Sequence, residues 1–278
     1  MFECVSQNKS FAGWQKVYRH NASSTGTDMT FGIYLPPAAE HNPCPVVYWL
    51  SGLTCTEQNF ITKAAAQQWA AELGLILVAP DTSPRGTDLP GEHEHWDFGS
   101  GAGFYVDAVN APWDQHYRMH SYITEELRTL VDTHFPTTKT QSIAGHSMGG
   151  HGALTLGLKH RELYAAISAF APISAPTLCP WGQKAFGHYF GKDKVLWEAH
   201  DAHLLIQQKG RHVPLLIDQG TEDDFLKQGQ LLPEKLDAAA RKAGYALTFN
   251  YREGYDHSFY FISSFIESHL RFHARHLT

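Results

Sequence analysis

Short apolar runs rich in β-branched and aromatic residues alternate along the chain with longer stretches of helical periodicity, and this alternation constrains the fold more than any other feature. Strands joined through helices need crossover connections, so the pattern predicts a largely parallel sheet covered by helices on both faces. The runs at 46–50, 75–79, 141–144, 165–170, 213–217 and 246–251 read as central strands buried on both faces. Helical spacing recurs near 58–72, 117–133, 148–159, 229–243 and 258–275, with Gly74 and Gly244 placed as C-terminal stops. The opening differs. Residues 14–20 and 29–35 alternate and are joined by a polar Ser/Thr/Gly segment, which predicts an antiparallel hairpin at the sheet edge.

At 278 residues, with 43% hydrophobic and 18% charged side chains, the chain can bury a single core over 1–278 and is neither disordered nor fibrous. A net charge of -6 without a basic run argues against nucleic acid as a partner. No apolar stretch reaches the ~18 residues of a membrane span, and the N-terminus shows no basic flank followed by an apolar core. Cys4, Cys44, Cys55 and Cys179 form no C-x-x-C pair, so neither a zinc site nor a disulfide framework is expected. The expected setting is a reducing cytoplasm. Two segments of weak periodicity, 81–113 and 172–201, are rich in Gly, His and aromatics; loops of that length are usually functional and are expected to line one pocket.

Gly145-His146-Ser147-Met148-Gly149 follows a predicted strand and opens a small-residue helix. The pentapeptide alone is a weak signal, but that junction is where a sharp turn holds a serine hydroxyl clear of a sheet. A serine needs a base, and the base needs an orienting carboxylate. Of eighteen histidines, His257 lies between the last strand and the last helix, where the base of such an architecture projects. The carboxylate is expected after the strand ending at Ile217, where Asp218, Glu222, Asp223 and Asp224 all qualify and loop position does not choose among them. An oxyanion would be met by the backbone amides of Leu53, after the run at 46–50, and Met148, after the serine. The close histidine pairs His93/His95, His200/His203 and His273/His276 lack a third ligand at metal-site spacing and are expected on the solvated surface.

These motifs, together with Trp49-Leu50-Ser51-Gly52-Leu53-Thr54-Cys55, Pro80-Asp81-Thr82-Ser83-Pro84-Arg85-Gly86, Gly101-Ala102-Gly103-Phe104-Tyr105, Pro180-Trp181-Gly182-Gln183 and Glu253-Gly254-Tyr255-Asp256-His257-Ser258, closely resemble those of the S-formylglutathione hydrolases, or esterase D family. The resemblance covers nearly the whole chain. It implies an α/β-hydrolase fold without metal or organic cofactor, and the triad Ser147 (nucleophile), His257 (base) and Asp223 (acid). It also implies hydrolysis of S-formylglutathione to glutathione and formate in formaldehyde detoxification, with a small-molecule substrate as partner and a homodimer left open. A broad short-chain carboxylesterase or acyltransferase is the alternative. Trp96, Phe104, Tyr105 and Trp181 are expected to line the thiol side of the pocket. Cys55, two residues beyond Leu53, is expected to face the substrate as a binding or regulatory thiol open to a mixed disulfide with glutathione.

Overall fold

The computed structural model describes residues 2–277. Nine strands form one sheet: β1 (Phe2–Ser10), β2 (Gly13–Ala22), β3 (Thr27–Leu35), β4 (Cys44–Leu50), β5 (Ile76–Pro80), β6 (Thr137–His146), β7 (Ile167–Phe170), β8 (Leu215–Gly220) and β9 (Leu247–Arg252). Their order is β1-β2-β3-β5-β4-β6-β7-β8-β9. The N-terminal strands pair antiparallel up to the β3–β5 edge, and every pair from β5–β4 to β8–β9 is parallel. All residues of β5, β7 and β8 are buried; β5 is apolar throughout, whereas β7 holds Ser168 and β8 ends with buried Asp218 and Gln219 before Gly220.

The helices are α1 (Glu57–Lys63), α2 (Gln67–Leu73), α3 (Met119–Ser121), α4 (Arg128–His134), α5 (Met148–Lys159), α6 (Pro180–Tyr189), α7 (Lys194–Glu198), α8 (Ala202–Leu205), α9 (Asp224–Lys227), α10 (Pro233–Ala243) and α11 (Phe259–His276), with a π-helical turn over Tyr122–Leu127. On one face α1 and α2 pack against β3, and α11 packs against α2, β7 and β8; on the other α4 and α5 cover β4, β6 and β7, with α8 against α5 and α10 against β9.

Several features depart from the expectations, and one is β9, which ends the sheet and is only half-buried where a strand buried on both faces was expected. The edge is a three-stranded meander, because polar, exposed β1 precedes the expected hairpin. Its turn is made by Phe11 and Ala12 at φ 47° and 61°, the conformation usually signalled by Asn-Gly, so no turn residue announces it. The helix expected over 58–72 is two helices, broken where Ala65 sits at φ 54° between fully buried Ala64 and Ala66. Within 172–201, Pro180 in the first turn and the Cys179 cap start α6 where a loop was expected.

His200 and His273 are likewise interior rather than on the solvated surface. His273 Nε2 lies 2.8 Å from Ser168 Oγ, while His200 stacks on Phe190 at 4.9 Å beside Lys159. Burial, then the Lys159 charge, push His200 down to about 2. Its folded value lies below its unfolded one, so the unfolded chain takes up the proton first. The stability His200 contributes is therefore complete above the usual histidine value of 6.5 and is lost as pH falls below it. By about pH 5.5 that loss should reach about 1.4 kcal/mol. His200→Phe keeps the aromatic packing and removes the proton site, so its unfolding free energy should fall less steeply between about pH 7.5 and 5.5. Parallel denaturation curves for the two proteins would contradict the argument.

Candidate active site

Four loops that follow the C-terminal ends of parallel strands converge on one end of the sheet, the location at which open α/β sheets hold ligands. The β6–α5 turn carries Ser147 at φ 58° and ψ -119°, a conformation costly for a residue with a Cβ. The turn closes only because its flanks are glycine. A Cβ on Gly145 would run into the Gly149 carbonyl, and one on Gly149 into the carbonyls of Leu50 and Ser51. Three backbone bonds hold the strained residue: Ser147 N donates to Phe170 O at 2.9 Å, and Ser147 O accepts from His151 N at 2.9 Å and Ile173 N at 3.2 Å.

The β4 loop passes close to this turn, with a Cβ position on Gly52 only 3.1 Å from Ser147 Cβ. Among the described residues the amides of Leu53 and Met148 donate to no acceptor in the protein, although the neighbouring Thr54 and Cys55 amides do. Two unspent donors thus lie on the segments flanking Ser147.

The β8 loop brings up Asp223, which is fully buried and caps α9: Oδ1 accepts from Phe225 N at 2.8 Å and Leu226 N at 3.3 Å. Its other oxygen accepts from Gln219 Nε2 at 3.1 Å and His257 Nδ1 at 2.6 Å. Burial alone would raise this carboxyl, but the His257 hydrogen bond and charge, with Gln219 and the Phe225 amide, hold it below the usual carboxylate range. The three competing carboxylates are placed elsewhere. Asp218, on β8, is buried beside β9 and accepts from Asn250 Nδ2 at 2.8 Å and Arg252 Nε at 2.6 Å. Glu222 pairs with Lys227 at 2.7 Å, and Asp224 is exposed.

His257, on the loop between β9 and α11, spends Nδ1 on Asp223 and lines with Ser147 a cavity of about 220 Å³. Gly52, Leu53, Thr54 and Cys55 form one wall; Trp96, Trp181, Phe225 and Phe259 form the others. The aromatics are linked: Trp181 meets Trp96 at 5.5 Å and Phe225 at 4.7 Å, and Phe225 meets the edge of His257 at 4.8 Å. Trp96 and Trp181 therefore line the cavity. Phe104 and Tyr105 do not: both are fully buried, with Tyr105 donating to Ser51 O at 2.8 Å, so they support the loop from beneath. Cys55 is on the wall, and burial pushes its thiol up, only partly offset by the Lys63 charge. The lining residues Thr54, His146, Phe225 and Phe259 were not among the expected site residues. His146, the variable position inside the pentapeptide, packs 4.3 Å from His257 and is held neutral by burial and by the His257 charge; Phe259 lies two residues past His257. Among the described residues, Asp88, Glu92 and His93 are the one group spaced like metal ligands, and buried Glu92 is already engaged by Tyr117 Oη at 2.6 Å and Leu89 N at 3.1 Å.

A serine on the turn after a central parallel strand, in a mixed sheet covered on both faces, is the architecture of the α/β-hydrolases. The Esterase family model matches residues 22–272. The chain is 53% identical over 275 residues to the S-formylglutathione hydrolase of Rattus norvegicus, covering 98% of each chain. It is 51% identical over 277 residues to that of Paracoccus denitrificans, covering 99% of this chain and 98% of the other. The solved S-formylglutathione hydrolase of Agrobacterium tumefaciens superposes with a TM-score of 0.96 at 47% identity, covering 99% of this chain and all of that one. The chain is a hydrolase and belongs to the S-formylglutathione hydrolase family. No helix among the described residues is long and apolar enough to cross a membrane.

Proposed function

We propose that the protein hydrolyses S-formylglutathione to glutathione and formate, with Ser147 as nucleophile, His257 as general base and Asp223 as its orienting acid. The observation that carries this is the 2.6 Å bond from His257 Nδ1 to buried Asp223, on the wall of the cavity that also holds Ser147. That bond fixes the imidazole tautomer with the proton on Nδ1 and leaves Nε2 to accept from the serine hydroxyl. Ser147 Oγ then attacks the thioester carbonyl, and the negative charge that develops on its oxygen is met by the Leu53 and Met148 amides. Collapse breaks the C–S bond, with His257 returning its proton to the departing glutathione sulfur. Water, deprotonated by His257 in turn, attacks the formyl-serine and releases formate. The reaction would place the enzyme in formaldehyde detoxification, acting on a dissolved small molecule in the cytoplasm.

Turnover of freshly formed S-formylglutathione against a short p-nitrophenyl ester tests the assignment. Its kcat/KM should exceed that for the ester at least ~100-fold, on the order of the discrimination a site gains from a dedicated binding half. The reverse order would make the protein a general carboxylesterase.

A further inference from the structure

The Ser147 cavity, at about 220 Å³, is smaller than the ~300–1,000 Å³ that usually encloses a ligand of glutathione's size. Its contents must continue outward. Across Phe259, which lines both, lies a second concavity of about 710 Å³ bounded by Lys63, Ala65, Ser258, Tyr260 and Ser263. Phe259 is the shared wall, and the Lys63 ammonium stands 5.9 Å from its ring centroid.

Charge marks this second space. Around the first cavity the cations are taken: Lys184 by Asp97 at 2.6 Å, Lys227 by Glu222 at 2.7 Å and Arg85 by Asp81 at 2.7 Å. Lys63 is exposed and, among the described residues, has no carboxylate within 4.0 Å. Beside it Tyr260 leaves 84% of its surface uncovered, a whole ring face available to a ligand. The turn that sets Lys63 there is itself held in an unfavourable conformation, Ala65 at φ 54°. An unpaired cation over an aromatic shelf suits a peptide carrying carboxylates. Glutathione has two.

We propose that the tripeptide half of the substrate leaves the Ser147 cavity over Phe259 and docks a carboxylate on Lys63, with Tyr260 as the shelf for its backbone. This rests on S-formylglutathione being the substrate. Lys63 also closes α1, where a cation complements the helix dipole, but that role would touch all substrates alike. The discriminating quantity is therefore the ratio of kcat/KM for S-formylglutathione to that for uncharged p-nitrophenyl acetate. Lys63→Glu should lower the ratio at least tenfold, Lys63→Ala about fivefold, and Lys63→Arg should keep it within twofold, with the loss carried by KM. Raising ionic strength should lower the ratio in the wild type and much less in Lys63→Ala. A Lys63→Glu ratio within twofold of wild type overturns the proposal, whether both activities persist or both fall. A wild-type enzyme inert toward S-formylglutathione overturns the substrate assignment, and this docking with it, before any variant is made.

Discussion

Ser147→Ala is expected to lower kcat by on the order of 10⁵ to 10⁶ while leaving the fold intact, because the covalent route disappears and the packing stays. The folded state has little to lose, since the turn is secured by backbone bonds to Phe170, His151 and Ile173 and by the two flanking glycines, none of which involves the hydroxyl. Alanine inherits the same strained φ of 58°. Ser147→Gly should therefore be equally inactive yet more stable than the alanine variant, by about 1 kcal/mol, because glycine alone adopts that backbone without cost. Activity of either variant within tenfold of wild type would move the nucleophile to another residue. A glycine variant less stable than the alanine one would mean that the turn stores no strain.

The same turn shows why this site was so legible. Strand, G-x-S-x-G and helix are contiguous, so local geometry dictates the position of Ser147, and β4 and β5 announce themselves because strands buried on both faces favour unbroken apolar runs. Where tertiary contacts overrule local preference, the reading fails. Ala64-Ala65-Ala66 is as helix-favouring a tripeptide as exists, yet the chain breaks there to bury Ala64 and Ala66. The β1–β2 turn uses Phe11 and Ala12 in a conformation that neither residue favours, so β1 went unseen. Phe104 and Tyr105 read as pocket aromatics, but nothing local tells an aromatic under a loop from one on its surface. The choice among four carboxylates was likewise out of reach of loop position and followed only from resemblance. In space Asp218 is claimed by Asn250 and Arg252, more than thirty residues away, and that claim is invisible along the chain.

Those placements make the carboxylates separable by experiment. Asp223→Asn should lower kcat by ~10³ to 10⁴, because an amide nitrogen offered to His257 Nδ1 favours the tautomer that cannot accept the serine proton. Asparagine remains a competent helix cap, so the bonds from the Phe225 and Leu226 amides can persist and the loss should fall on rate rather than on folding. Asp223→Ala removes cap and orienter together and should add about 1 kcal/mol of destabilisation to a similar loss of rate. Asp224→Asn, on the exposed side of the same turn, should stay within about twofold of wild type. Asp218→Asn should do the opposite of Asp223→Asn, weakening the buried link from β8 to Arg252 on β9 and lowering the melting temperature while kcat of the folded fraction stays near wild type. Measuring kcat and thermal unfolding on all four variants separates rate from stability at each position. If Asp218→Asn slowed the folded enzyme more than Asp223→Asn, the 2.6 Å contact to His257 would be a structural bond, and the orienting acid would have to be sought at Asp218 on β8.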